Sequence, residues 1–422
     1  MRSLLVVVVA ACSSPKPVRV PPPAAAPEPT CESEPGAGDH GRANVRASDG
    51  TTHALYWRRL PAPTQPARGT LFYLAGGPQS HLAYTPLAAA FQKLAFSDLD
   101  VVLYDYFGWN CSTALQQLPE LARNAHALTM AAMAADFIGL KRQLAGSGKV
   151  YVMGGSHGAM LGAQIVATYP DDIAKAVLFS GDLASGWLAE GWFRFDALLA
   201  DLAAHDAAFA ADLERLFAKA QAGELAVEVQ GARRVVTRPA LEVALWLAGG
   251  LESEVQAALP AIVKLTLDGD LEVLTTIYAA ELELLAAPAP APPPTESSAV
   301  LDFYRCNVWF PRSARASAAL TTRRTRYLAY RSLADYWSEL CAAYDPLGEF
   351  PYDATPARPT VVPVLAWIGD RDTFDPDATR ARFARLSTRA ELHVMPGWAH
   401  DFGPDPKAGF RTLATLVAAF LR

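Results

Sequence analysis

The segment KVYVMGGSHGAM (149–160) sets Ser156 between glycines where two patterns meet. Val150 to Met153 is apolar, β-branched and aromatic without a polar break, as a short buried strand should be. From Ala159 to Tyr169 the spacing is helical, and Pro170 stops it. A serine in so tight a strand-to-helix turn has a strained backbone and a hydroxyl raised above the sheet. Gly154 and Gly158 keep open the space that a Cβ would fill. That placing suits a nucleophile. A bare G-x-S-x-G is a weak signal, equally readable as a turn before a helix, so its partners decide.

A serine nucleophile needs an imidazole to take its proton and a carboxylate to orient that imidazole, here expected in the chain order serine, acid, histidine. Two histidines lie beyond the long helical block described below. His393 sits inside the strand-like ELHVM, whereas His400, in MPGWAHD, lies just past that strand's end, where catalytic groups collect. His400 is the expected base. The acid should come from VLAWIGDRDTFDPD (364–377), which offers Asp370, Asp372, Asp375 and Asp377. An EF-hand reading fails, because Phe374 and Asp375 fall where that loop needs a ligand and a glycine. Asp372 is the best placed and Asp370 the second choice. The expected oxyanion donors are the backbone N–H of His157, opening the helix, and that of Gly77 in Ala75-Gly76-Gly77-Pro78, after the strand ending at Leu74. The side chain of His157 should point away from Ser156, toward substrate or neighbouring packing.

These residues need a frame. From about residue 43 strand-like and helix-like segments alternate, the sign of a mostly parallel sheet covered on both faces. Residues 43–60 resemble an antiparallel hairpin, and strands are expected at Thr70–Leu74, Asp100–Tyr104, Ala176–Ser180, Val361–Ile368 and Glu391–Met395. Helices are expected at Thr129–Leu144 and 407–421. Residues 185 to about 354 are mainly helical, with a hairpin-like stretch at 226–236 and a proline break at 288–294. The expected architecture is an α/β domain (43–184 and 355–422) interrupted by a helical cap (185–354) that walls in a site.

The N-terminus predicts export. Met1-Arg2-Ser3 precedes eight apolar residues, too few to span a bilayer but enough for a signal peptide over 1–11. Val9-Ala10-Ala11-Cys12 resembles a bacterial lipobox, so Cys12 is expected to carry lipid and anchor the protein to the cell envelope. The Pro/Ala-rich stretch within 12–42 then reads as a tether. Cys31, Cys111, Cys306 and Cys341 suggest two disulfides, Cys306–Cys341 and Cys31–Cys111, with buried free thiols as the alternative. A net charge of −6 without a basic block argues against nucleic acid. No metal or organic cofactor is implied.

Four motifs carry a family resemblance. AGGPQ (75–79) resembles an H-G-G-P-G oxyanion loop, and DYFGWNCS (105–112) resembles D-x-R-G-x-G-x-S. GGSHG (154–158) matches the nucleophile turn, and GDRDTFDP (369–376) resembles a G-x-x-D-x-x-x-P acid loop. Together they resemble the α/β-hydrolases, and within them the proline iminopeptidases and tripeptidyl aminopeptidases, over about residues 43–421. The resemblance implies a serine peptidase fold with a helical cap, supports Asp372 as the acid, and extends to a late cysteine pair in the cap. It also implies cap carboxylates that bind a substrate's free amine, for which Glu252, Glu254, Glu281, Glu283 and Glu339 are candidates. The chain departs from the pattern at Ala75, Gln79, Phe107 and Asn110. The expected function is therefore an exported serine aminopeptidase acting through an acyl-enzyme on short peptides. A carboxylesterase, amidase or lactonase on the same scaffold is the alternative, and a catalytically silent ligand-binding lipoprotein is the alternative of another class.

Overall fold

The computed structural model describes residues 39–272, apart from 48, 49, 78–80, 114, 116, 230, 231 and 251, together with Thr275 and residues 298–422. Cys12, Cys31, Gln79, Glu281 and Glu283, and the signal peptide and nearly all of the tether, lie outside them.

Eight strands form one sheet: β1 (His40–Arg46), β2 (Thr52–Leu60), β3 (Gly69–Leu74), β4 (Leu99–Tyr104), β5 (Val150–Gly155), β6 (Ile173–Phe179), β9 (Val364–Gly369) and β10 (Ala390–Met395). Their order is β1-β2-β4-β3-β5-β6-β9-β10, with β2 antiparallel to both neighbours and every other pair parallel. A short hairpin, β7 (Ala226–Val229) and β8 (Ala232–Val235), stands apart. The helices are α1 (His81–Ala95), α2 (Leu118–Asn124), α3 (Met130–Ala145), α4 (His157–Thr168), α5 (Trp187–His205), α6 (Ala207–Gln221), α7 (Arg238–Gly249), α8 (Ser253–Leu267), α9 (Ser298–Phe303), α10 (Tyr330–Cys341), α11 (Pro376–Leu386) and α12 (Pro406–Leu421), besides shorter helical turns. Among the described residues no helix is long and apolar enough to cross a membrane.

Both faces of the sheet are covered, which is why its central strands lack polar alternation. Along β3, Leu71 and Tyr73 pack with Phe91 of α1 and Leu413 and Val417 of α12. Phe72 and Leu74 turn the other way, toward Phe137 of α3 and Ile165 of α4. Thr129 caps α3 by accepting from Ala132 N at 3.3 Å, and Asp405 caps α12. Between β6 and β9 the described residues are mostly helical, and α5 and α8 bond to the loops that follow β9 and β10.

Cys306 and Cys341 form a disulfide, joining a π-helical turn (Tyr304–Trp309) to the end of α10. Cys111 is also disulfide-bonded; Cys31, its expected partner, lies outside the described residues. The Cys306–Cys341 bond closes a span of 35 residues, so breaking it is expected to cost about 3–4 kcal/mol through unfolded-state entropy. A lower urea midpoint for Cys306→Ser/Cys341→Ser than for the parent protein, of that size, checks this.

Candidate active site

Ser156 joins β5 to α4 with φ 52° and ψ −122°, a conformation that costs a non-glycine residue about 1–3 kcal/mol. Packing holds it there. Its N–H donates to Phe179 O at 2.9 Å, and its carbonyl accepts from Ala159 N and Met160 N. A Cβ on Gly158 would lie 2.2 Å from Leu74 O, so α4 rests directly on the end of β3. That contact draws the loop after β3 to the serine, since a Cβ at Gly76 would stand 3.3 Å from Ser156 Cβ.

The loops after β9 and β10 bring His400 and Asp372 together. His400 Nδ1 lies 3.1 and 3.2 Å from the two carboxylate oxygens of Asp372, which is 1% exposed. Asp372 also accepts from Thr373 Oγ1 and Phe374 N. With a carboxylate at Nδ1 the proton resides there, leaving the Nε2 lone pair available. No hydrogen bond links His400 to Ser156 in this state; such contacts are commonly long before substrate binds.

The remaining aspartates of the acidic run have separate tasks. Asp370 accepts from Gly397 N at 2.7 Å, Asp375 caps α11, and Asp377 pairs with Arg380 at the surface. Asp372 alone among them meets His400. His393 lies on β10 beside Glu391.

In the loop after β3, Gly77 takes φ 55°, open to glycine at little cost. Tyr106 donates to Ala75 O at 2.8 Å. His157 N–H, in the first turn of α4, has no intrahelical acceptor.

A family model described as alpha/beta hydrolase fold matches residues 69–223. The protein has the α/β-hydrolase fold. Solved structures that align along most of the chain include the proline iminopeptidase of Mycobacterium smegmatis (18% identity, 90% of this chain and 98% of that one, TM-score 0.43). Others are a thermophilic esterase from Thermogutta terrifontis (14%, 90% and 96%, TM-score 0.42) and an epoxide hydrolase from Vigna radiata (16%, 91% and 97%, TM-score 0.41). Likeness at this level says nothing of substrate. No curated protein sequence matches significantly.

Within this hydrolase fold the departures from the motif pattern have structural reasons. Asn110, where the pattern has glycine, adopts φ 40°, a left-handed conformation that asparagine tolerates. Phe107, where it has arginine, stacks on His53 at 3.8 Å, and His53 Nδ1 pairs with buried Asp136 at 2.7 Å. The shared positions lock the loop: Asp105 accepts from Cys111 N, and Ser112 Oγ donates to Asp105 O.

The side chain of His157 is buried against Trp109, Tyr304 and Trp309, and neither ring nitrogen has a partner. Burial pushes its pKa down to about 3, so it stays neutral. For His400, burial opposes the charge, but Asp372, then Glu252 and Asp401, outweigh it and hold the pKa above the usual histidine range. Glu252 lies just before α8. Its own pKa is raised by burial and by Asp401, while His400 pulls the other way. Among the described residues it has no ion-pair partner. Of the described glutamates among the five singled out in the sequence (Glu252, Glu254 and Glu339), it is the one whose charge reaches His400. Sequence reasoning missed Ser253, Gln256, Arg194 and Asp401, which tie the cap to the loops carrying Asp372 and His400. They follow no periodicity, and only the position of Asp401 beside His400 was a usable signal.

Proposed function

We propose that this protein is an exported, lipid-anchored serine hydrolase that removes residues or short peptides from the free N-terminus of a peptide through an acyl-enzyme. Ser156 attacks the scissile carbonyl while His400 takes its proton. Asp372 holds His400 in the working tautomer and stabilises the imidazolium. The N–H groups of Gly77 and His157 receive the oxyanion. His400 then returns the proton to the leaving amine, and a water activated by the same imidazole releases the acyl group. The observation that carries the hydrolase reading is the strained serine at the end of β5, with a buried His–Asp pair on the loops two and three strands along the sheet.

Peptidase activity on a free amine is supported by Glu252, a half-buried carboxylate that has no ion-pair partner among the described residues and whose charge reaches the His400 imidazole. A substrate ammonium would supply that cation. Glu252→Gln is expected to lower kcat/KM for a free N-terminal prolyl or alanyl anilide by about 10- to 100-fold, the worth of one charge-assisted hydrogen bond. Turnover of a short-chain nitrophenyl ester, which carries no amine, should barely change. The same variant should shift the acid limb of the pH profile to lower pH. Removing a negative charge destabilises the His400 imidazolium, its pKa falls, and the neutral base persists into more acidic solution.

The deciding comparison uses the free anilide, its N-blocked twin and a short-chain nitrophenyl ester. Anilide cleavage lost on blocking is the expected result. Ester turnover with no anilide cleavage would replace the aminopeptidase with a carboxylesterase, amidase or lactonase. Failure of a fluorophosphonate to label the protein would leave a binding lipoprotein. Metabolic labelling with a fatty-acid analogue, lost in Cys12→Ala, tests the anchor.

A further inference from the structure

The N-terminus of α8 lacks a cap of its own, because Glu252, at the N-cap position, makes no side-chain cap bond. Asp401 supplies it from another part of the chain. Its carboxylate accepts from Ser253 N at 2.9 Å and from Ser253 Oγ at 2.6 Å, and it also receives Gly403 N at 3.0 Å. The Ser253 hydroxyl in turn accepts from Ala399 N at 2.7 Å. One buried hydroxyl is thus bonded to the residues immediately before and after His400.

The opposite loop is tied in a like manner. Arg194 of α5 donates to Asp372 O at 2.8 Å and to Asp370 O at 2.6 Å, and Gln256 of α8 donates to Arg371 O at 3.1 Å. Three successive carbonyls of the acid loop are therefore bound by helices of the β6–β9 insertion. A Cβ at Gly191 would meet Thr373 Cβ at 2.9 Å, so α5 lies directly on that loop.

The geometry points to Ser253 as a positioning residue that fixes the main chain on both sides of His400, so that the inserted helices set the aim of the base and are not only a wall over it. This rests on the reading of His400 and Ser156 given above. Ser253 touches no reacting atom; it acts through residues 399 and 401. A shift of the imidazole by a fraction of an ångström weakens proton transfer without altering substrate contacts, so the loss should fall on kcat.

Ser253→Ala is expected to lower kcat, and the rate of fluorophosphonate labelling of Ser156, by about 10- to 100-fold, with KM within about twofold of wild type. Ser253→Thr, which keeps the hydroxyl, should recover most of that loss. The downfield imidazole proton between His400 and Asp372, assigned by its loss in His400→Gln, should broaden or vanish in Ser253→Ala and return in Ser253→Thr. The corresponding proton of the His53–Asp136 pair should stay unchanged as an internal control. If Ser253→Ala does not fold, Asp401→Asn tests the same link and should show the same fall in kcat. Wild-type protein that labels normally, with Ser253→Ala labelling at the same rate and keeping the His400 proton, overturns the positioning role while the hydrolase reading stands. Wild-type protein that fails to label overturns both.

Discussion

Replacing Ser156 by alanine is expected to lower kcat by roughly 10⁴- to 10⁶-fold on whichever ester or anilide the protein turns over. On the proposed mechanism the hydroxyl forms the acyl-enzyme, and without it only the oxyanion donors and substrate binding remain. Stability should scarcely change. The Ser156 hydroxyl makes no cap bond to α4, and alanine at φ 52° is no worse placed than serine. Steady-state rates beside a thermal melt separate the two effects. Adding His400→Ala to Ser156→Ala should cost little more, because the residues act as one unit. Activity surviving in Ser156→Ala above a tenth of the wild-type rate would remove the serine from the mechanism.

Gly158→Ala should produce a large loss of stability, about 3–5 kcal/mol. Its new methyl would meet Leu74 O at 2.2 Å, Leu74 C at 2.8 Å and Ala75 O at 2.9 Å. All three are backbone atoms of a central strand and the loop after it, so none can rotate aside. Relief requires α4 to lift from β3, separating Ser156 from the loop that carries Gly76 and Gly77, and activity should fall along with stability. Gly148→Ala, with nothing within 4 Å of the added carbon, serves as control and should stay within about 0.5 kcal/mol of the parent. Urea midpoints at unchanged slope report the difference. Equal midpoints for the two variants would mean that the close approach of α4 to β3 is wrong.

The fold was legible because its signals are local. Apolar runs bounded by Gly, Pro and Asp marked β3 to β6 and β9 within a few residues, and helical spacing marked α3 and α12. The junction at Ser156 was legible for a steric reason: few sequences other than small residues around a serine fit between β3 and α4. The sheet order was not legible. Nothing in the spacing of residues says that β4 lies between β2 and β3, since pairing depends on where each crossover packs. Within the site, the sequence favoured Asp372 among four aspartates, and it is the one of the four that contacts His400. The cap was read as a block of helices without sign of what it touches. Ser253, Arg194 and Gln256 bond to backbone atoms far along the chain, and such bonds leave no periodic trace. Burial of His157 among aromatic rings likewise depends on cap residues far from it in sequence.

The place of β9 in the sheet bears on the order in which the protein comes into being. This strand lies beside β6, yet nearly all of the inserted helices separate the two in sequence. A chain emerging from the ribosome at about 5–20 residues per second can pair β1 to β6, and set Ser156 in its turn, while Asp372 and His400 have still to be made. Pairing across so long an interval is slow, because the intervening chain must be gathered before the contact stabilises anything. On the proposed mechanism hydrolytic competence is thus acquired last. A nascent chain or a fragment ending before His400 would then hold its serine on a formed strand without a base to activate it.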